Sequence, residues 1–131
     1  DLKSLNLLNL KVNIIKWRPK FNEDIIKSDI VIIPTIEDER SVVKSHNRLT
    51  ESLNLGRFVI ANYTPYYNEM KKYCYIGNLF DGLKWIYNNK YEAIKKINGG
   101  QSYINNRFAK KVISKKWSNL IKKNLNTRIG V

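Results

Sequence analysis

The sequence is poor in cysteine and histidine, and this scarcity excludes two classes of protein. Among 131 residues there is one cysteine, Cys74, and one histidine, His46. A lone cysteine forms no disulfide within the chain, so we expect a reducing, cytoplasmic setting and a buried, unreactive Cys74. One cysteine and one histidine also exclude a zinc site built from those two residue types.

Long apolar runs are missing as well. No stretch approaches the roughly 20 apolar residues that a bilayer-crossing helix requires. The hydrophobic fraction is nevertheless 43%, which argues against intrinsic disorder. A length of 131 residues fits one compact domain, 1–131, with a real core. We expect this domain to be a piece of a longer protein.

Acidic residues are scarce relative to basic ones. The chain has 24 Lys and Arg against 11 Asp and Glu, a formal charge of +13. Such a balance attracts nucleic acid, acidic membranes or phosphorylated ligands. Lys, Asn and Ile are frequent throughout the chain, as a coding bias would make them, so the positions of the charges carry more weight than their sum.

Short apolar runs alternate with helical patterns along the first half of the chain. We predict strands at Lys11–Trp17, Asp29–Pro34 and Arg57–Ala61, with a fourth at "YCYIG", and helices at Phe21–Ser28, within "SVVKSHNRLTESLNL" and at "YYNEMKK". The rest is predicted to be helical, as "NLFDGLKWIYNN", "KYEAIKKINGGQSYINNRF" and "AKKVISKKWSNLIKKNL", with Gly99-Gly100 as a weak point of the second segment. This alternation predicts an α/β fold: a Rossmann-like three-layer domain with a parallel sheet and extra C-terminal helices.

The stretch "KSHNRLTESLNLG" follows "DIVIIP", a continuous β-branched run that predicts a strand buried on both faces of a parallel sheet, and it begins a helix. Leu49 and Leu53 are one turn apart on the expected core face of this helix, and Gly56 is its expected C-terminal stop. A helix entered from a strand end presents free N–H groups and a positive dipole end, where phosphate binds readily. Ser45 or Asn47 can cap this helix, and Lys44 and Arg48 add charge. Glu51 is seven residues beyond Lys44, about 10 Å along a helix axis. In the alternative interpretation the helix is merely well capped, with solvated cations and Glu51 paired to Arg48 or to another basic residue.

Three motifs in order, "DIVIIPT", "ESLNLG" and "RFVIA", resemble the donor-binding C-terminal domain of GT-B fold glycosyltransferases (group 1, family 4-like). The chain also matches the pattern K-S-x-N-R-x-x-E of one subgroup, and the resemblance covers most of 11–120. It implies a sugar nucleotide as the donor substrate, no other cofactor, no bound metal, and an acceptor site in an N-terminal domain of the same enzyme.

The resemblance also implies roles for individual residues. The diphosphate would be held by Lys44, Ser45, His46, Asn47 and Arg48, and the ribose by Glu51. The base would lie near Trp17 and Arg18, the pocket floor would be Pro34 and Thr35, and the rim would be Tyr63 and Thr64. No catalytic residue is assigned.

Two departures from the family pattern limit this inference. Many family-4-like enzymes carry a second Glu eight positions before the equivalent of Glu51, and here Val43 stands there (or Lys44, if the loop shifts by one). The first strand of the domain also looks absent or shortened. We therefore expect this chain alone to be inactive. The resemblance does not assign the identity of the donor sugar.

Several residues have more than one interpretation. His46 is a conceivable general base but fits a solvated or backbone-bonded side chain better, and Trp17 is either a base-stacking platform or an edge aromatic. The acidic residues Glu37, Asp38 and Glu39 could ligate a metal but are interpreted as a mobile loop. Tyr66 and Tyr67 are either ligand contacts or packing residues. Trp85 and Trp117 lie on apolar helical stripes, so both are predicted to pack.

The final helices carry a basic face, formed by Lys110, Lys111, Lys115, Lys116, Lys122 and Lys123. This is a solvated face or a peripheral contact with an anionic membrane at its inner surface. The alternative function is a basic nucleic-acid-binding α/β module without enzymatic activity. Its aromatics do not interleave with cations on a platform, so we expect no nucleic acid as partner. A receiver-like phosphoacceptor domain ranks last. Such a domain needs an Asp at the carboxyl end of a strand, and Asp29 lies at the start of its strand.

Overall fold

The fold contains a small three-stranded parallel sheet with helices around it. The computed structural model describes residues 13–35 and 45–129, with backbone alone for 126–129. Within these ranges the sheet order is β1 (Ile30–Ile33), β2 (Phe58–Ala61) and β3 (Tyr75–Ile76). The α-helices are α1 (Asn22–Ile26), α2 (Asn47–Asn54), α3 (Leu79–Asn88), α4 (Lys90–Phe108) and α5 (Lys110–Ile129), and a 3-10 helix spans Pro65–Met70. The prediction of an α/β chain with a parallel sheet is confirmed.

Strand β2 is the centre of the sheet, and all four of its residues are buried. It pairs with β1 from Ile30↔Phe58 to Ile33↔Ala61, and with β3 at Ile60↔Tyr75. Because side chains alternate along a strand, its two faces contribute to different clusters. One cluster joins Val59 and Ala61 to α2 and Met70, and the other joins Phe58 and Ile60 to α3. Helix α4 contributes to both clusters.

Helix α2 forms as the leucine spacing predicts. Leu49 and Leu53 lie one turn apart and are fully buried against the sheet. The helix ends where Gly56 takes a φ of +75°, in the left-handed region that favours glycine. The Gly56 N–H donates to the Leu53 carbonyl at 2.9 Å, so the predicted stop at Gly56 is confirmed.

Helix α3 lies unusually close to the central strand. Its first turn is capped by the Asn78 side chain, which accepts from the N–H groups of Phe80 and Asp81. A Cβ at Gly82 would lie 2.5 Å from Ile60 Cγ2, so only glycine permits this approach. The ring of Trp85 stacks on Phe58 with centroids 5.5 Å apart, which confirms its predicted packing role.

The strand predicted at Lys11–Trp17 is wrong over its described part. Residues 13–17 form no strand, and Ile14 and Trp17 are 73% and 81% exposed. A strand requires a hydrogen-bonded neighbour and an apolar face to cover, and this segment has neither within the described ranges. Strand β1 is consequently an edge strand there. Ile32 is 43% exposed, so the prediction of burial on both faces was wrong for β1.

Two predictions about the last helices also need correction. The Gly99-Gly100 pair does not interrupt α4, which continues through it, and Gly100 packs closely against Tyr73 and Leu53. Trp117 was predicted to pack, but it is 61% exposed because α5 has no neighbour on that side among the described residues. Over the described ranges, each helix is either too short or too polar to span a bilayer.

Candidate functional site

A cavity of about 480 Å³ opens where β1 ends and α2 begins. Its lining comprises Ile33, Pro34, Thr35, Ser45, Asn47, Arg48 and Tyr67. The loop after β1 is held in place from the neighbouring strand end, because Asn62 Oδ1 accepts from the Thr35 N–H at 3.0 Å. The cavity therefore lies at the carboxyl ends of parallel strands, the place where ligands bind in sheets of this kind.

The start of α2 leaves backbone donors available to this cavity. Asn47 is the first helical residue and His46 is the N-cap, with no capping bond from its side chain among the described residues. The prediction that Ser45 or Asn47 caps the helix was wrong, because Ser45 precedes the cap position and Asn47 already lies within the helix. The first-turn N–H groups and the positive end of the dipole thus remain for a ligand.

Arg48 connects the cavity to a second one. A groove of about 460 Å³ also has Arg48 in its lining, and Glu51, Pro34, Trp17 and Ile15 line it further along. Neither Arg48 nor Glu51 forms an ion pair with any described residue, so the pairing of Glu51 with Arg48 is absent there. The two cavities share Ile33, Pro34 and Arg48 in their linings, so they are neighbours between the start of α2 and Trp17.

Lys44 lies outside the described residues, as do Val43 and the acidic loop residues Glu37, Asp38 and Glu39. Because α2 begins at Asn47, the span from Lys44 to Glu51 is not two turns of one helix. The relevant step runs from Asn47 to Glu51, which is one turn or about 6 Å along the axis.

His46 turns away from the cavity and joins a cluster around Glu69. Its Nε2 lies 3.9 Å from Glu69 Oε2, and its ring packs on Phe108 with centroids 5.3 Å apart. Glu69 also accepts from Arg107 Nε at 2.7 Å and from the Tyr103 hydroxyl. That last bond raises the pKa of Tyr103. His46 therefore packs the start of α2 against α4, and it does not line the cavity with Asn47 and Arg48.

The two residues expected near the base lie in different situations. Trp17 lines the groove and is 81% exposed, so its indole face is open to a stacking partner. Arg18 instead pairs with Asp24, with Nη2 2.6 Å from Oδ1, and this hydrogen bond lowers the pKa of Asp24. Arg18 is thus held by α1 and is not among the side chains that line the groove.

The predicted rim residues do not line the cavity. Tyr63 is 52% exposed and its hydroxyl accepts from Asn68 Nδ2 at 3.3 Å. Thr64 is buried, and its hydroxyl has no partner among the described residues. Tyr67 lines the cavity instead, although it is only 6% exposed. The sequence allowed Tyr67 to be either a ligand contact or a packing residue. In the structure it lines the cavity and also belongs to the core cluster around α2.

The sequence offered no signal for the Glu69 cluster. Its members come from the 3-10 helix, the start of α2 and the end of α4, and Tyr103 is 34 residues from Glu69 along the chain. No local spacing relates such residues. Cys74 behaves as predicted: it is buried, its thiol donates to the Met70 carbonyl, and burial raises its pKa to about 12.

Comparison with known proteins found no matching family model, and neither a curated protein nor a solved structure with significant similarity to the chain.

Proposed function

We propose that this chain is the donor-binding half of a glycosyltransferase, a Rossmann-like domain that holds a nucleoside-diphosphate sugar at the start of α2. The carrying observation is the cavity that Pro34, Thr35, Asn47 and Arg48 line at the carboxyl end of β1. The motifs "DIVIIPT" and "ESLNLG" support the same assignment through their resemblance to GT-B enzymes.

The diphosphate fits the cavity by charge and by hydrogen bonding. Arg48 supplies a guanidinium that pairs with phosphate oxygens in two parallel bonds. The N–H groups of the first turn of α2 and the side chains of Ser45 and Asn47 supply further donors. Among the described residues that line the cavity there is no carboxylate.

The nucleoside extends into the groove beyond Arg48. Glu51 lies one turn further along α2 and offers a carboxylate that accepts hydrogen bonds from two ribose hydroxyls. Ile15 and Trp17 then present apolar and aromatic surface for the base. Phosphate, ribose and base thus occupy successive positions along one path.

Transfer of the sugar needs groups that this assignment leaves to other parts of the enzyme. The sugar would extend from the diphosphate away from Glu51, toward an acceptor bound by an N-terminal domain. This chain would bind the donor, and the reaction would take place between it and the acceptor domain.

Titration calorimetry with nucleotides tests the proposal. We expect uridine or guanosine diphosphate to bind saturably and more tightly than the matching monophosphate. Arg48→Ala should weaken diphosphate binding by about tenfold to a hundredfold, the loss of a charged hydrogen bond. It should also remove the preference over the monophosphate. Lys71→Ala, another exposed cation, is the matched control.

The ribose contact has its own test. The chain should bind a ribonucleoside diphosphate more tightly than its 2′-deoxy analogue, and Glu51→Ala should abolish that difference. Glu23→Ala, which removes an exposed carboxylate of α1, should leave it intact. Absence of saturable nucleotide binding, or equal binding by wild type and Arg48→Ala, would refute the proposed function.

A further inference from the structure

Helix α5 projects from the rest of the described protein. Only its first turn is half-buried, at Val112 and Ile113, and every side chain from Ser114 to Leu125 is exposed. Val112 and Lys116 line a cavity with Tyr103 and Arg107 of α4, which fixes the side of α5 that faces the body. The exposed stretch of twelve residues is about 18 Å long.

The exposed part of α5 has an apolar face without a described partner. Trp117, Leu120, Ile121 and Leu125 are 61%, 51%, 54% and 53% exposed. At 3.6 residues per turn, these four and Ile113 occupy an arc of roughly 140°. Large apolar side chains that are exposed together in this way mark an interaction site.

The charge of α5 is of one sign. Between 110 and 129 the sequence has six Lys and one Arg and neither Asp nor Glu. Five of the lysines fall outside the apolar arc, on both of its flanks and opposite it: Lys111, Lys115, Lys116, Lys122 and Lys123. Long lysine stems on the flanks let the ammonium groups reach an anionic plane while the apolar face enters it.

We propose that α5 lies in the surface of an anionic lipid bilayer, with Trp117, Leu120, Ile121 and Leu125 inserted and the lysines among the headgroups. An apolar face of Trp and Leu beside a lysine-rich face is the pattern of interfacial helices. The proposal depends on α5 alone and not on the proposed nucleotide site.

Other occupants fit these features less well. Nucleic acid would use the lysines but leave the apolar face exposed to water. A second copy of this chain that packed α5 on α5 would bring like charges together along both flanks. An anionic lipid surface satisfies the charge and the apolar face at once.

Vesicle flotation with the full chain tests the proposal. The probes are vesicles of phosphatidylcholine alone and of phosphatidylcholine mixed with phosphatidylglycerol. We expect binding to the anionic vesicles and little to the neutral ones. The Trp117→Gln/Leu120→Gln variant should lose about tenfold or more in partition coefficient, because both side chains insert. These side chains are exposed, so circular dichroism should show an unchanged fold.

A charge variant completes the design. Lys111→Gln/Lys115→Gln/Lys122→Gln should weaken binding roughly a hundredfold, since each lysine near an anionic surface contributes about 1 kcal/mol. The control Lys27→Gln/Lys71→Gln/Lys84→Gln has the same net charge, with the substitutions on exposed positions away from α5, and should bind nearly as wild type. Insertion should also shift Trp emission to shorter wavelength, and Trp117→Phe should remove that shift.

Four results would overturn the proposal. The first is failure of wild type to bind anionic vesicles. The second is equal loss in the α5 and control charge variants, and the third is undiminished binding by Trp117→Gln/Leu120→Gln. The last is a wild-type dimer, detected by sedimentation, that becomes monomeric in that apolar variant while vesicles stay unbound. A duplex RNA probe that binds wild type and the apolar variant equally, with no vesicle binding, would favour nucleic acid instead.

Discussion

Helices α2 and α5 are both amphipathic and carry cations, yet the fold places them in opposite situations. The apolar side of α2, Leu49 and Leu53, is fully buried, whereas Leu120 and Leu125 of α5 are more than half exposed. The cation of α2, Arg48, lines a cavity beside a strand end. The exposed lysines of α5 surround an apolar face that is open to solvent. Similar side chains thus form core and cavity lining in α2 and exposed surface in α5.

The physical difference is the presence of a sheet face. Helix α2 connects two parallel strands, so its leucines cover the sheet and its start lies at the strand ends. Helix α5 follows α4 after a break at Ala109 and, among the described elements, packs mainly against α4. An apolar stripe therefore predicts a helix, while only the neighbouring elements decide whether that stripe lies in the core or on the surface.

The largest expected effect is a matched pair of leucine truncations. Leu53→Ala should lower the free energy of unfolding by about 2–5 kcal/mol, because it leaves a cavity in the core. Leu120→Ala should change it by at most about 0.5 kcal/mol, because the side chain is exposed. Urea denaturation followed by circular dichroism measures both. Equal losses of unfolding free energy would mean that α5 packs on the rest of the protein, which would contradict the contrast between the two helices.

The next effect separates the two cationic regions by function. Arg48→Ala should cost nucleotide affinity about 1.5–3 kcal/mol while anionic vesicles bind the variant as wild type. Lys111→Gln/Lys115→Gln/Lys122→Gln should show the reverse pattern. Calorimetry and flotation on the same preparations measure the four values. If either variant weakened both activities, the two regions would form one electrostatic surface rather than two sites.

A smaller effect compares a buried thiol with one on α5. Burial raises the pKa of Cys74 from 9.0 to about 12, so the thiol ionises in the unfolded chain first. Its contribution to stability is complete below about pH 9 and is lost as the pH rises toward 12, by about 1.4 kcal/mol per pH unit.

Urea denaturation at about pH 8 and about pH 10 measures this loss as the difference between wild type and Cys74→Ala. A cysteine placed on α5, as Ser118→Cys in the Cys74→Ala background, is the exposed control and should add no such dependence. An identical alkaline loss in wild type and Cys74→Ala would contradict the burial of this thiol.

Much of the helical organisation could be predicted from the sequence. The bounds of α4 and the stop of α2 at Gly56 follow from local signals, namely apolar spacing and a residue that tolerates positive φ. The alternation of strands and helices predicts the parallel sheet, because a helix between two strands is a crossover connection. Pro34, Thr35, Asn47 and Arg48 share a cavity because parallel connections bring strand ends and helix starts to one edge.

Three of the failures share one cause, which is distance along the chain. Residues 13–17 have the composition of a strand but no partner in the described ranges. Trp85 and Trp117 both lie on apolar helical stripes, yet one stacks on Phe58 and the other is exposed. His46 turns to Glu69, a contact with a residue of another element. No local pattern contains the information for such pairings.

The sequence alone established the α/β class, the bounds of α4, the end of α2 at Gly56 and the polar character of the α2 start. These depend on backbone preferences and side-chain periodicity within a few residues. Tertiary structure decided that Arg48 and Glu51 share a groove, that His46 belongs to another cluster, and that α5 keeps its apolar face exposed. Those outcomes depend on which surfaces meet, because burial is a property of two elements and not of one.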